Sequence, residues 1–393
     1  MKSIILFAVN GIGLGHAIRS TKLAEQLMKY YDANIFFVTY GDAYEYLKSK
    51  GYNALYLPPI RLEWGTLGVA IGRTVLSLMF KYSFTFIKHL IYDSKIINKY
   101  SPTFLISDSR LSPILISRKL FRTPTILITN QLISYVYKDV PLSKYINRAF
   151  KWILPKAWGI SDLILIPDMP PPYTISNNNI TPALKLIHDR RVCFIGILDD
   201  LKLYKNAIKG KEVIYDVYFS ISGPKYDRLF FSHSILSVLR KITNYKIVVS
   251  LGKLYEKSKF QPMTIGRNIV IYNWIANRLD TLAKSKIVVL RGGQTSILES
   301  ILLIKPMIVI PAYGQTEQIE NGLRVHKLGI GEYVPPEKFK ESPHVLIKKI
   351  KNIIKHYDYY LDNLKRLRNI LIKCGGLSTA IKEIKSLVRD IIL

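Results

Sequence analysis

Arg291 to Asn321 reads RGGQTSILES, then ILLIKPMIVIP, then AYGQTEQIEN, and that order of patterns leaves few folds open. A short apolar strand over Lys286–Leu290 runs into Gly292-Gly293. A helix is expected to open near Gln294, with Glu299 one to two turns inside it. A second strand, Met307–Ile310, ends at Pro311, and a polar loop then carries Glu317, Gln318 and Asn321. Strand, glycine turn, helix and strand in this order form a unit of a parallel α/β sheet. Such a unit sets backbone N–H groups and the positive end of a helix dipole where an anion can sit. The polar tail suits sugar hydroxyls, so the stretch points to a nucleotide sugar rather than a free phosphate.

The same kind of unit recurs at the other end of the chain. Ser3–Val9 (SIILFAV) reads as a buried parallel strand, the loop NGIGLGH follows, and a helix is expected from about Ala17 to Tyr30. Asn34–Thr39, Ala54–Leu57, Phe104–Ser107, Thr125–Thr129, Leu163–Pro167 and Val192–Gly196 read as the further strands of a first domain. Asp199–Lys211 is polar and poor in pattern and reads as a linker. Val213–Ser220, Lys246–Leu251, Asn268–Tyr272, Lys286–Leu290 and Met307–Ile310 supply the second sheet, and Pro343–Lys373 and Ser378–Leu393 read as helices. The fold class expected is α/β with two Rossmann-like domains, residues 1–200 and 201–393, facing across a cleft. The last helix is free to pack back on the first domain. A length of 393 residues and a hydrophobic content of 49% allow each domain its own core.

In Asn10-Gly11-Ile12-Gly13-Leu14-Gly15-His16 the glycines are spaced too evenly for a dinucleotide fingerprint, and Thr39 stands where that fingerprint expects an acid. No Lys-Ser/Thr pair follows, so it is no P-loop either. Gly13 and Gly15 instead let backbone approach a ligand closely. His16 at the helix start can take a proton from an attacking hydroxyl, or serve as a capping or packing residue. Asp108 closes the strand in ISDSRLSP; it can orient His16, act as base itself, or cap the helix that follows. Arg19 can meet an anionic acceptor or pair with an acid on its own helix.

These motifs, in this order, resemble the glycosyltransferases of the two-Rossmann GT-B type. NGIGLGHAIRS is similar to the glycine loop and histidine of family 28 enzymes, the group that includes the lipid-linked N-acetylglucosaminyltransferases of peptidoglycan synthesis. The second half resembles that group and the UDP-glycosyltransferases of small molecules. There a tryptophan-led segment precedes a His-Gly-Gly-x-x-Ser-x-x-Glu run and an acid-Gln pair follows. Here the matching residues are Trp274, Gly292, Gly293, Ser296, Glu299, Glu317, Gln318 and Asn321. The resemblance implies that Trp274 and Ile275 flank a uracil and that Glu299 accepts from the ribose hydroxyls. It implies that Gly292, Gly293, Gln294 and Thr295 cradle the diphosphate through backbone N–H groups, and that Glu317 and Gln318 read the transferred sugar. Ser222 and Gly223, in the loop Ser222-Gly223-Pro224, resemble a second diphosphate loop. Arg291 replaces the motif's histidine. Arginine is a permanent cation that can grip a diphosphate bidentately, so no essential metal and no cofactor are expected.

The implied reaction is inverting transfer of a hexose or N-acetylhexosamine from a UDP-sugar to an acceptor hydroxyl, with His16 as base and Asp108 assisting. The formal net charge of +29 favours an anionic partner: nucleic acid, a membrane surface or a polyanionic substrate; a lysine-rich solvated surface is the plainer reading. Gly65–Tyr100 is long and apolar, and on a helical wheel Arg73, Lys81, Lys88, Lys95 and Lys99 fall within roughly 80°. With the basic, aromatic stretch Lys138–Lys156 it suits peripheral contact with an anionic membrane and a lipid-linked acceptor. Cys193 and Cys374 show neither metal spacing nor a disulfide framework, as fits a reducing cytosol. The N-terminus lacks the pattern of a signal peptide, and no run of about 18 uncharged apolar residues is present. The expected location is therefore the inner face of the cell membrane. Two other readings remain: a non-hydrolysing UDP-sugar 2-epimerase, and a basic nucleic-acid- or membrane-binding protein without catalysis.

Overall fold

The computed structural model describes residues 3–59, 64–65, 68–69, 83–137, 139, 142–187, 191–209, 212–223, 225–252 and 262–392. Arg73, Lys81 and Pro224 lie outside these residues. The first sheet is built from β1 (Ser3–Val9), β2 (Ala33–Thr39), β3 (Ala54–Tyr56), β6 (Phe104–Asp108), β7 (Thr125–Ile128), β8 (Leu163–Ile166) and β9 (Arg191–Phe194), with a small hairpin of β4 (Trp64–Gly65) and β5 (Gly68–Val69) outside it. Its order is β3-β2-β1-β6-β7-β8-β9, parallel throughout. The second sheet has β10 (Tyr215–Ser220), β11 (Ile247–Ser250), β12 (Met263–Ile265), β13 (Ile269–Tyr272), β14 (Ser285–Leu290), β15 (Met307–Val309) and β16 (Gly331–Tyr333) in the order β12-β13-β11-β10-β14-β15-β16. Only the β12–β13 pair is antiparallel. The strands read as apolar runs because helices cover both faces of each sheet.

In both sheets the strand order reverses beside the first strand, between β1 and β6 and between β10 and β14. Ligands of open parallel sheets bind at the carboxyl ends of strands at such a reversal. The loop at Gly13, the end of β6 at Asp108, the loop at Ser222 and the turn at Gly292 therefore lie at the reversal points.

The chain crosses between the domains twice, side by side. Residues 199–211, expected as a linker, carry a helix, Leu201–Ile208, capped by the Asp200 side chain accepting from Lys202 N–H. Its apolar face, Tyr204 and Ala207, packs into the second core, which explains why so polar a stretch is ordered. The helix expected as one piece from Pro343 to Lys373 is two, Val345–Lys355 and Tyr357–Lys373, with the break at His356. Leu364, Leu367 and Leu371 belong to the second core, and the final helix, Leu377–Ile392, buries Ala380, Ile381, Ile384 and Val388 in the first.

Gly376 makes the return crossing possible. Its φ is +60°, and its N–H bonds to Ile195 O at 2.9 Å. A Cβ there would stand 2.8 Å from Asp199 O and 2.9 Å from Ile197 O, both backbone. Gly376→Ala is therefore expected to lower stability by roughly 1–3 kcal/mol, read as an earlier urea midpoint at unchanged slope.

Candidate active site

The turn after β1 is set by Asn10, whose Oδ1 accepts from Ile12 N–H and from the Tyr40 hydroxyl, each at 3.0 Å. The helix Gly15–Leu27 then opens two residues earlier than its apolar pattern suggests, which places His16 in its first turn. β6 lies beside β1 with Val9 opposite Asp108, so the last residue of β6 comes against that first turn.

Asp108 is fully buried. His16 Nδ1 is 2.7 Å from its Oδ1, Arg19 Nε donates to Oδ2 at 2.7 Å, and Ser20 Oγ donates to Oδ2 at 3.1 Å. Arg19 Nη2 donates to Oδ1 as well, which makes the pair a two-pronged fork. Burial alone would raise the Asp108 pKa; the positive charges and hydrogen bonds of Arg19 and His16 outweigh it and hold the carboxyl well below the usual range. An ionised carboxylate only accepts, so the short contact with His16 requires the proton on Nδ1. Nε2 is then the nitrogen that can take a proton from a substrate. Of the placements open in the sequence, the structure has Asp108 in contact with His16. It caps nothing, because the next helix, Leu111–Ile116, starts at Arg110 without a side-chain cap. Arg19 pairs with neither an acid on its own helix nor an exposed anion site; its partner is on β6.

Across the cleft, Gly292 has φ +90°, and a Cβ there would lie 2.8 Å from Gln318 O, so the turn after β14 admits only glycine. Asn321 is fully buried, and its Nδ2 donates to Gly292 O at 3.0 Å. Gln318 Oε1 accepts from Ala312 N–H at 2.9 Å. Gly293 and Thr295 are exposed at the start of the helix Gln294–Leu302, which has no side-chain cap and so keeps its first N–H groups for another acceptor. Ser222 and Gly223 are exposed at the end of β10. Trp274 is exposed and Ile275 packs on the second core.

Four placements go beyond the sequence reading. Glu317, Gln318 and Asn321, expected on a polar loop, lie on a helix, Thr316–Lys327. Asn321 and Gly322 weaken helix propensity, but a Cβ at Gly322 would come 2.6 Å from the Tyr333 ring, so packing requires the glycine. Arg291 is 4% exposed and its guanidinium lies 4.1 Å over the Phe231 ring, in the helix Lys225–Leu239 that follows the Ser222 loop. Glu299 is ion-paired with Arg278, which also reaches Ser296 Oγ at 3.4 Å. Gln294 turns its side chain to the first domain: Nε2 donates to Asp168 Oδ2 at 2.7 Å.

Asp168 was not visible as a site residue in the sequence, although an acid just beyond an apolar strand is the signal that marked Asp108. It accepts three backbone N–H groups, from Met169 (2.7 Å), Ile175 (3.0 Å) and Ser176 (2.9 Å), and its burial raises its pKa against those bonds. Ser176 Oγ reaches Asn321 Oδ1 at 3.4 Å and Arg324 Nε donates to Thr174 O at 2.9 Å. The loop 168–176 is thus tied to the second domain through Gln294, Asn321 and Arg324.

The helix Thr316–Lys327 joins the two halves of the site. Its Thr316 Oγ1 donates to Tyr135 O at 3.0 Å, and Glu317 Oε1 accepts from Asn130 Nδ2 at 2.8 Å. Glu317 is partly buried; that burial raises its pKa, while the Asn130 bond and the nearby His16 and Arg19 oppose the rise. One turn later the same helix pins Gly292. The histidine–carboxylate pair and the glycine turn therefore face a single space between the domains.

Two parallel-sheet α/β domains, each with its strand order reversing beside its first strand, define the GT-B fold. The description "Glycosyltransferase family 28 C-terminal domain" matches residues 229–369, and "Glycosyl transferase family 1" matches 3–157. A protein of Methanosarcina acetivorans named "Uncharacterized glycosyltransferase" is 24% identical over 95% of this chain and 96% of its own length. The UDP-N-acetylglucosamine--N-acetylmuramyl-(pentapeptide) pyrophosphoryl-undecaprenol N-acetylglucosamine transferase of Thermosipho africanus is 32% identical over 42% of this chain and 53% of its own. Among solved structures, the calicheamicin glycosyltransferase CalG4 superposes with a TM-score of 0.69 at 16% identity, covering 100% of this chain and 99% of that one. Acinetobacter baumannii MurG gives 0.60 at 11% identity, covering 98% and 100%. The chain is a glycosyltransferase of the GT-B fold, with residues 229–369 matching the C-terminal domain of family 28 and residues 3–157 matching family 1.

Asp108→Ala is expected to cost about 3–5 kcal/mol at neutral pH, because it leaves Arg19 buried without its acid. The Asp108 pKa is depressed in the folded state, so its stabilisation is complete above the ordinary value of 3.8 and is lost as pH falls towards the folded value. Urea unfolding from pH 7 to 3 should show the gap between wild type and variant closing only in the acid limb.

Proposed function

We propose that the protein transfers a hexose or N-acetylhexosamine from a UDP-sugar to a hydroxyl of a lipid-linked acceptor, with inversion and without an essential metal. One observation carries this reading: a single helix, Thr316–Lys327, sets Glu317 against Asn130 of the first domain while its Asn321 fixes the Gly292 turn. A donor whose diphosphate rests on that turn has its sugar at the histidine.

His16 Nε2 accepts the proton of the attacking hydroxyl, and Asp108 balances the imidazolium that forms. The hydroxyl oxygen bonds to the anomeric carbon from the side opposite the diphosphate, which leaves with the bonding pair. Charge on the leaving UDP meets the N–H groups at the start of Gln294–Leu302. Arg291, buried on Phe231, contributes its charge from behind the turn and ties the Ser222 loop's helix to it. Glu299 takes the ribose hydroxyls by exchanging part of its contact with Arg278.

The lipid-linked acceptor is supported by the name of the Thermosipho relative, which specifies a pyrophosphoryl-undecaprenol substrate, and by the first domain's surface. The helix Ser83–Tyr100 is anchored by Asp93, buried against Arg110 at 2.7 Å, and by His89, whose Nε2 is 2.7 Å from Pro58 O. Its other side exposes Phe84, Ile87, Ile91 and Tyr92 among Lys88, Lys95 and Lys99. The helix Ser143–Trp158 exposes Tyr145, Trp152 and Ile153 among Lys144, Arg148, Lys151 and Lys156. Both pack on Leu111–Ile116, so they lie on one flank of the domain. Exposed aromatics interleaved with lysines suit the headgroup layer of an anionic membrane. No helix among the described residues is long and apolar enough to cross one.

Incubation with UDP-sugars and polyprenyl-linked acceptors should release UDP at the same rate with and without chelator. His16→Ala should cut turnover about 100-fold or more with UDP affinity unchanged, whereas Glu299→Ala should weaken UDP itself. Undetectable UDP binding by calorimetry would overturn the donor assignment. Separately, wild type should float with vesicles containing anionic phospholipid and not with neutral ones. A Phe84→Ser, Trp152→Ser double variant should stay at the bottom of the gradient; equal flotation of the two proteins would reject this surface.

A further inference from the structure

We propose that Asp168 is a positioning residue: through Gln294, the first domain fixes the start of the helix whose N–H groups face the diphosphate. This rests on the donor reading above and makes UDP affinity depend on a buried acid of the opposite domain. Gln294 is the first residue of the helix Gln294–Leu302, directly after Gly292 and Gly293. It is 5% exposed, and its Nε2 donates at 2.7 Å to Oδ2 of Asp168, which is fully buried.

The carboxylate is presented in a fixed place. Met169 and Ile175 N–H donate to Oδ1 at 2.7 and 3.0 Å, and Ser176 N–H donates to Oδ2 at 2.9 Å. Thr174 Oγ1 donates to Met169 O at 2.9 Å and closes the loop on itself. With Gln294 each carboxylate oxygen accepts from two donors, which fills the capacity of an ionised carboxylate. Three of the four donors belong to the acid's own loop, so the loop can keep its shape without Gln294. The fourth bond therefore acts on the second domain.

What that bond does there follows from the helix it reaches. The helix start has no side-chain cap, so its first N–H groups stay open to an anion. A polar side chain left loose beside such a start can bond to those N–H groups itself. Asp168 draws the Gln294 amide across to the first domain instead, with a bond strengthened by the charge of its acceptor. N–H groups held in place bind a diphosphate better than the same groups on a mobile turn, because less ordering remains to be done on binding. Arg324 supplies a comparison within the same loop. Its Nε donates to Thr174 O at 2.9 Å and its Nη2 to Pro172 O, tying the loop to the helix Thr316–Lys327 rather than to Gln294–Leu302.

The test measures Kd for UDP by calorimetry, and kcat and KM for the UDP-sugar, in wild type, Gln294→Met, Asp168→Asn, the double variant and Arg324→Met. Gln294→Met keeps the side chain's length and removes the bond. It should bind UDP about tenfold more weakly, the loss of one hydrogen bond to a charged group, with KM raised and kcat within about twofold. The double variant should be no weaker than the weaker single one, because both changes remove the same bond. Arg324→Met, which loosens the same loop elsewhere, should leave UDP affinity within about twofold. Unchanged UDP affinity in Gln294→Met overturns the proposal. Equal weakening in Arg324→Met overturns it too, since the loop would then be a structural tie between the domains. If Asp168→Asn fails to fold, Gln294→Met and Arg324→Met decide by themselves. Failure of the donor reading is distinct: wild type itself would not bind UDP.

Discussion

The site depends on a carboxylate that is dry and yet ionised. Asp108 is fully buried, so its charge needs partners from the protein, and Arg19, His16 and Ser20 supply them. That requirement fixes much else. The first helix must start at Gly15 for His16 and Arg19, three residues apart, to point at one acid. β6 must lie beside β1 in the register that sets Asp108 opposite Val9. The tautomer of His16 follows from the charge of its partner rather than from a choice of its own.

The second domain answers with backbone instead of charge. Its glycine turn and uncapped helix offer N–H groups, and the residues that hold them in place are neutral amides. Asn321 and Gln318 bond to main-chain atoms, and Gln294 bonds across the domains to Asp168. A division of this kind suits a reaction in which a proton is lost on one side and negative charge grows on the other.

Much of the architecture was legible because it rests on local patterns. The apolar strands, both glycine turns and the final helix follow from periodicity and from the placing of glycines. The pairing of His16 with Asp108 was one of the open readings, since both stand at carboxyl ends of adjacent strands. What was not legible is long-range and polar. Nothing in LIPDMPPPY marks Asp168 as the partner of Gln294, 126 residues on. Nothing around Glu299 announces Arg278. The helix Thr316–Lys327 was hidden by its own asparagine and glycine, which tertiary packing against Tyr333 requires. Arg291 reads as a bidentate grip on a diphosphate because arginine usually serves phosphate directly; the fold adds the Phe231 ring on which its guanidinium stacks.

The links across the cleft carry a cost that bears on how the protein works. Asn130–Glu317, Gln294–Asp168, Thr316–Tyr135 and Arg324–Thr174 join the domains by polar bonds, beside an apolar contact in which Met169, Ile175 and Ile197 pack into the second core. Each such bond is replaced by water when the cleft opens, so its net hold is only about 0.5–1.5 kcal/mol, more where a charge takes part. The chain crosses between the domains side by side at 196–200 and 375–377, with Gly196 and Gly376 in left-handed conformations at the crossings. The two halves of the site meet through Glu317 and Asn130, so the geometry of the cleft depends on the domains holding this arrangement.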